Sequence, residues 1–477
     1  MKKITDQHKE YSAMVDKWQR CRDFISGADA LREHDLNCYG DYREAYLPLL
    51  SDRQLQSDYE RYVRRALYDN GIKRMRNSLK GLIFSKEPEV ELSPAVDYME
   101  DDCDLMETPL IEMAEWIVQQ VLDVGRCGIL VDRPSMSPGL SLADAEKLGL
   151  RAHFVQYTAE QIINWEMARV GSRWMTVRVV LCENEDKYTE LLLDDIGYCI
   201  VVWHKEKDEW KVDPPVYPQS KGSVMQSIPF WFFGATSGKP TIEQPPLLDM
   251  VEDARSWYQS SADLEHARFA CGLPTPGFYG FSEEEAGAIM LGGQYGIHST
   301  NTDARAEYLE YKGEGTMPLE RALEQKSAMM ARHGVDIIDK ADAEATDTIR
   351  ARVDIQTATL SSMANCVSRL LEQALDFASE WMAGGECEFE LSTKYIDVSI
   401  SPQEITALLQ AVVQGALSQT DFVHRLRKGG IIEADRTDED IQADLDLENE
   451  KDAGNLPQVN PLMNQPINKP VVGNLQE

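Results

Sequence analysis

From Thr346 to Met382 the chain carries a sustained helical pattern. Ile349, Val353, Leu360, Met363, Val367, Leu370, Leu371, Ala374, Leu375, Ala378 and Trp381 form one apolar stripe. About 35 residues at 1.5 Å rise make a rod of roughly 50 Å, longer than a helix in a small globular domain usually is. Any fold for this chain must be arranged along that rod.

The other strong periodicities are also helical. "MVDKWQRCRDFISG" predicts a helix among short polar pieces in the first forty residues. Tyr59, Tyr62, Val63, Ala66 and Leu67 recur at helical spacing, and so do Ile72, Met75, Leu79 and Leu82. A helix is expected behind Thr108-Pro109, with Thr108 as N-cap and the stripe Leu110, Ala114, Ile117, Val118, Val121, Leu122. Gly125 stops it, and "CGILV" reads as a buried strand. Pro245-Pro246 open another helix, with Leu247, Met250, Val251, Ala254, Trp257, Tyr258, Ser261 and Leu264 on its inner face; Gly272 and Pro274 end it. A further helix is expected in "PLERALEQKSAMMARHG".

Between 151 and 233 the texture changes. "HFVQYT", "WMTVRVVLC", "ELLLDD", "YCIVVWHK", "EWKVDP" and "IPFWFFG" are apolar and β-branched runs parted by turn residues, which predicts one antiparallel meander. "CEFELS" and "KYIDVSIS" predict one more strand pair after the long helix. The fold class is therefore α+β. The glycine-rich insert 272–316 holds a strand-like "AEYLEYKG" and "SEEEAGAIML", where Ser282 and Glu285 fit a capping box. A second capping box, Ser401 with Glu404, opens a small helical region, and the Pro- and Asn-rich end reads as an extended tail.

Charge narrows the partners. Against 48 basic residues stand 81 acidic ones, a formal charge of -33, which disfavours gripping nucleic acid by neutralising phosphates. A wall that repels phosphates can still let DNA pass. Arg53 to Lys80 is the most basic stretch, with eight basic and three acidic residues, and reads as a solvated helix face or a subunit contact. Glu433 to Asp452 holds ten acidic and two basic residues. The start of the chain lacks the apolar region of a signal peptide, and no apolar run is long enough for a bilayer, so a soluble, non-exported chain is expected.

Familiar chemistry is missing from the pattern. The nine cysteines form no CxxC pair, and an odd count suits buried thiols in a reducing compartment. The eight histidines form no HExxH, so neither metal nor cofactor is expected. There is no GxxxxGK[ST], GxGxxG or GxSxG, and "LGGQYG" and "KGEGTM" read as flexible loops. One stretch does look like a site: in "DVGRCGILVDRP" a buried strand runs out at Asp132-Arg133, where catalytic groups often sit. An acidic enzyme with a carboxylate or Mg-dependent site around Asp132 is the alternative reading. The preferred one makes Asp132 a turn cap or a partner for a basic residue.

The order of segments resembles one family, the portal or head-to-tail connector proteins of tailed bacteriophages and prophages. The resemblance is carried by "YLP", "YERYVRRALYDN" and "LKGLIFSKEP", then "GRCGILVDRP", "FVQYTAEQIINW", "IPFWFFG" and "PPLLDMVEDARSWYQSSADLEHARFACGLPTPG", and finally "EATDTIRARVDIQTATLSSMAN" and "GALSQTDFVHRLRKGGII". It spans about residues 40 to 450. No one motif is diagnostic; the ordered set is specific.

The resemblance implies a ring, usually of twelve subunits, at the unique capsid vertex, through which double-stranded DNA is packaged and ejected. It implies a portal fold with α/β wing, helical-hairpin stem, small α/β clip, long spine helix and short helical crown. On this chain the wing is 1–243 with strands at 384–400, and the stem helices are 244–271 and 317–333. The clip is 272–316, the tunnel loop 334–345, the spine 346–383, the crown 401–452 and the tail 453–477. The tunnel loop would present Asp336, Asp339, Lys340, Asp342 and Glu344; the clip would present Ser282, Glu283, Glu284, Glu285, Tyr308 and Tyr311. Implied partners are further copies of the chain, terminase large subunit, head-completion adaptors, major capsid protein and a scaffold, with no membrane. No catalysis is implied, and the location is the virion, with the host cytoplasm during assembly.

Overall fold

The computed structural model describes residues 3–39, 45–51, 53–134, 150–207, 209–272, 275–283, 285, 298–309, 316–332 and 346–393. These all belong to the compact unit Met1–Tyr395. The expectations for 394–400, the crown and the tail lie outside the described residues.

Four helices open the chain: α1 (Lys9–Ser26), α2 (Ala28–Asn37), α3 (Gln56–Arg65) and α4 (Gly71–Ile83). Their inner faces bury Trp18, Phe24, Leu31, Tyr59, Tyr62 and Ile72. The basic run across α3 and α4 is partly answered within the chain. Arg61 pairs with Asp58, Arg74 with Asp69, Lys80 with Glu115, and Arg76 is buried against Asp123 at 3.3 Å.

Helix α5 (Leu110–Val124) follows the short strand β1 (Glu89–Glu91). Its N-cap is Pro109, with no side-chain cap, instead of Thr108. The Thr108 backbone is already engaged: its amide donates to Asp104 Oδ1 at 3.4 Å and its carbonyl accepts from Cys103 at 2.9 Å. Gly125 ends α5 in the left-handed conformation, φ 77°, as the sequence predicts.

The single meander expected between 151 and 233 is divided between two sheets and a short ribbon. Strand β2 (Arg126–Asp132) lies at the centre of a three-stranded antiparallel sheet, between β3 (His153–Thr158) and β11 (Phe230–Gly234). A strand whose first six residues are buried needs a hydrogen-bonding partner on each edge, and those two segments supply them. The rest is a five-stranded meander of β4 (Ile162–Val170), β5 (Arg173–Asn184), β6 (Lys187–Leu193), β7 (Tyr198–Glu206) and β8 (Glu209–Val212). Two-residue strands β9 (Gln219–Ser220) and β10 (Ser223–Val224) pair with each other. Arg126, at the head of β2, is buried between the rings of Trp165 and Phe232, 4.1 and 4.9 Å from their centroids.

Helix α6 (Leu248–Gly272) leads through β12 (Thr275–Tyr279) and β13 (Arg305–Leu309) to α7 (Thr316–Arg332). The long helix is α8 (Thr346–Trp381), and β14 (Glu388–Glu390) closes the described chain. From Leu360 onward the predicted stripe of α8 is buried; Ile349 and Val353 have no described side chains. Strand β14 pairs with β1 on one edge; the strand expected after it, "KYIDVSIS", lies outside the described residues. The short β1, Glu-Val-Glu, has too little alternation to announce itself in sequence.

One carboxylate fastens α6 to the helices before it. Asp35 is fully buried; its Oδ1 accepts from the amides of Tyr46 and Leu47 at 2.6 and 3.1 Å, and its Oδ2 from the Tyr258 hydroxyl at 3.4 Å. Burial raises its pKa to about 6, against the lowering pull of the Leu47 and Tyr46 amides. A raised carboxyl pKa costs stability above pH 6, and the cost fades as pH falls through 6 toward the unfolded value near 3.8. Asp35→Asn removes that titration. Between pH 7.5 and 5 the wild-type protein should gain about 1 kcal/mol, of order 2 °C in Tm, relative to the variant. Parallel pH profiles of Tm for the two proteins would contradict this.

Candidate functional site

Along α6 the environment changes. Leu248, Met250, Val251, Ala254, Tyr258, Ala262 and Leu264 are buried in the core. Tyr62 donates to Asp263 Oδ1 at 2.7 Å, and Gln259 Nε2 donates to the Tyr46 carbonyl at 2.7 Å. Beyond Leu264 the helix emerges; Arg268 and Phe269 are exposed. Helix α7 packs chiefly against α6. The hairpin is held by Trp257 Nε1 donating to Ser327 Oγ (2.9 Å), by Lys326 Nζ donating to Ser260 Oγ (2.6 Å), and by Arg268 with Glu320 (3.0 Å).

Leu67, Trp257, Leu264 and Leu323 floor an open groove of about 440 Å3 beside this hairpin. Its rim carries Glu265, Glu320, Glu324 and Arg268. The groove offers apolar contact and charge, with no nucleophile–base pair among its lining residues. Among the described residues, no three His, Cys, Asp or Glu side chains are grouped to hold a metal. Among them, too, no helix is long and apolar enough to cross a membrane.

Within the insert, β12 and β13 form an antiparallel ribbon with Pro276 opposite Tyr308. Tyr308 is 64% exposed, and Glu283 is exposed as well. The predicted capping box is present: the Ser282 amide donates to Glu285 Oε2 at 3.1 Å, and the Glu285 amide to Ser282 Oγ at 3.3 Å. Sequence reasoning missed the second task of Glu285, which accepts from the Thr300 amide (2.7 Å) and from the hydroxyls of Ser299 and Thr300. The Thr300 amide first, then the Ser282 amide, hold its carboxyl down at about 2. Nothing in local spacing signals a contact fifteen residues away. Glu284, Tyr311, Asp336, Asp339, Lys340, Asp342 and Glu344 lie outside the described residues, as does most of "SEEEAGAIML".

Asp132 behaves as a cap. Its Oδ1 accepts from the Arg133 amide at 2.8 Å, and His153 is its partner across the ladder. Burial raises its pKa, opposed by the Arg133 amide and by His153. Arg133 reaches the other way, donating to the carbonyls of Leu150 and Trp381, both at 3.3 Å. A guanidinium on the last carbonyl of α8 satisfies an orphan acceptor at the negative end of the helix. The stretch that looked like a site ties β2 to the long helix.

A family described only as a domain of unknown function, DUF4055, matches residues 246–382. The match covers the hairpin, its insert and the long helix. No curated protein matches the chain. Among solved structures, a chain of the virion of a native gene transfer agent particle is 10% identical with a TM-score of 0.36, covering 77% of this chain and 93% of that one. A chain from the neck of an empty particle of the same kind has the same identity and TM-score over 77% and 89%. One from the neck of the native particle, computed with C12 symmetry, is 10% identical with a TM-score of 0.34 over 75% and 88%.

The double duty of Glu285 makes a local prediction. In Glu285→Ala the amide of Thr300 should exchange with solvent about tenfold faster, with α6 unaffected. Hydrogen exchange read by mass spectrometry over 298–309 checks it; unchanged protection would show that the carboxylate does not hold the turn.

Proposed function

We propose that this chain is a portal-type ring subunit of a tailed phage or prophage. In this reading the ring stands at one capsid vertex and is the conduit for packaging and ejecting double-stranded DNA. It is also a docking platform for terminase and head–tail adaptors, and performs no catalysis itself.

The observation that carries the reading is the α6–α7 hairpin. Its root is tied to the preceding helices through Asp35 with Tyr258 and Asp263 with Tyr62, its outer turns leave Phe269, Met317 and Met329 exposed, and the long helix α8 follows in the chain. A helical pair that covers only one face of itself invites lateral neighbours. The matched family segment begins and ends with these same elements.

The charge balance supports a conduit over a clamp. At -33 per chain, a ring repels phosphates and leaves DNA free to slide. In this reading Asp336, Asp339, Asp342 and Glu344 face the DNA, with Lys340 making a transient contact. The wing, stem, clip, spine and crown take the boundaries given by the resemblance. In this reading Asp132 serves as a joint: its Oδ1 accepts from the Arg133 amide, and Arg133 holds the carbonyls of Leu150 and Trp381.

Native mass spectrometry of the full chain tests the reading. A closed ring of about twelve 53.9-kDa chains is the expected species, and negative-stain images should show a central hole. A protein that stays monomeric or dimeric at micromolar concentration would overturn it.

A further inference from the structure

The meander carries an arm that its own sheet does not explain. Strand β5 runs for twelve residues, yet β6 joins it only from Arg178 onward. On the other side β4 is the edge of the sheet. Residues 167–176 are therefore a two-stranded ribbon, closed by Gly171-Ser172 with Gly171 at φ 62°, as a tight hairpin of this length demands. Such a ribbon is marginal without something packed on it.

Its root is firmly built. Glu166 pairs across to Arg178, and the next pair is Met167 with Thr176, so Val177 is bulged out and the ribbon is turned relative to the sheet. Arg178 holds Glu166 at 3.1 Å and Glu190 at 2.6 Å, and Trp203 Nε1 donates to Glu190 at 3.0 Å. The outer part presents Met167, Val170 and Trp174 to solvent, Trp174 at 69% exposure. From Met167 to Val177 there are two arginines, Arg169 and Arg173, and no acid, in a chain of net charge -33. Both arginines are exposed.

The complementary surface lies on the same chain, in the turn before α5. Asp97, Glu100, Asp101 and Glu107 are exposed there, and no Lys or Arg occurs from 97 to 125. At its centre stand Leu105, exposed, and Met106, which is 79% exposed. Arg151 reaches this turn and pairs with Asp102. The turn is set by Asp104 Oδ1 accepting from Met106 and Asp102 Oδ1 accepting from Glu107. Each patch is an apolar centre framed by charge, and the two frames have opposite sign.

We propose that the β4–β5 arm docks on the acidic 97–107 turn of a second copy of this chain. The proposal rests on the ring-forming reading and names one of the contacts that closes the ring. Trp174 and Met167, which share one face of the ribbon with Arg169, cover Leu105 and Met106, while Arg169 and, from the tip, Arg173 meet the surrounding carboxylates. In a head-to-tail ring every copy gives one arm and receives one. Charge pairs of this kind fix register and exclude wrong partners. Phosphates would engage the arginines but leave the apolar centre of the arm uncovered.

The test is a cross-link in the assembled full chain. Trp174→Cys with Met106→Cys should give a ladder of covalent oligomers on oxidation, and neither single substitution should. Arg169→Glu with Arg173→Glu should lower ring yield about tenfold, and adding Asp101→Arg and Glu107→Arg to the same chain should restore it. Circular-dichroism melts of these exposed-residue variants report whether they still fold. A ring of normal mass without the cross-link overturns the arm contact and leaves the ring-forming reading standing. Normal ring yield in the arginine variant also overturns it, and there a loss of binding to a labelled 30-base-pair duplex would assign the arm to nucleic acid. A wild-type chain that forms no ring defeats the ring-forming reading itself, and this proposal with it.

Discussion

A carboxylate without exposure to water organises the root of the molecule. Asp35 gathers two backbone amides of residues 46 and 47 and the hydroxyl of Tyr258, so α2, the segment after it and α6 meet at one acceptor. Around that point Phe24, Tyr46, Tyr68 and Tyr258 make edge-to-face contacts, with centroids 5.0 to 6.4 Å apart. An apolar cluster alone would tolerate sliding of α6 along its groove. A buried acceptor with directional partners does not, because any slip leaves it unsatisfied. Everything α6 carries outward, the hairpin and its insert, is aimed by that constraint.

A second joint does the same for the sheet. The first six residues of β2 are buried; Asp132 caps its end and Arg133 grips the last carbonyl of α8. Trp381 adds its own bond, donating from Nε1 to the Gln219 carbonyl at 2.9 Å. The long helix is thus anchored at its C-terminal end, where its stripe is buried, between the three-stranded sheet and the β9–β10 ribbon. Residues at strand ends attract functional readings because they combine exposure with fixed geometry. Here Asp132 Oδ1 and the Nε and Nη1 of Arg133 engage backbone groups.

Much of the helical part was legible. The periodic stripes of α5, α6 and α8 survive because burial on one face leaves a 3.6-residue signature that no other element imitates. Sheet partnership was not. "IPFWFFG" reads as the last strand of a meander, yet Phe230–Gly234 pairs with Arg126–Asp132 about a hundred residues earlier, since what it needs is the free edge of a buried strand. The same holds for Glu388–Glu390 with Glu89–Glu91. The local part of the insert was readable as a capping box, while the reach of Glu285 to Ser299 and Thr300 depends on how the loop returns. The Thr108 cap failed because Asp104 and Cys103 had already claimed that backbone.

Chains of charge -33 repel one another, so self-assembly requires places where that repulsion is locally reversed. An apolar contact alone lowers the free energy of every misaligned pairing as well as the right one. A short acid-free run with two arginines does something different. It is attracted to the acidic surface that all copies offer, and it finds its best fit only where an apolar centre also matches. The net charge and the arm are then two sides of one device. In the proposed ring, acid excess leaves passing phosphates unbound, and exposed cations on a projecting element such as the β4–β5 arm decide where one copy meets the next.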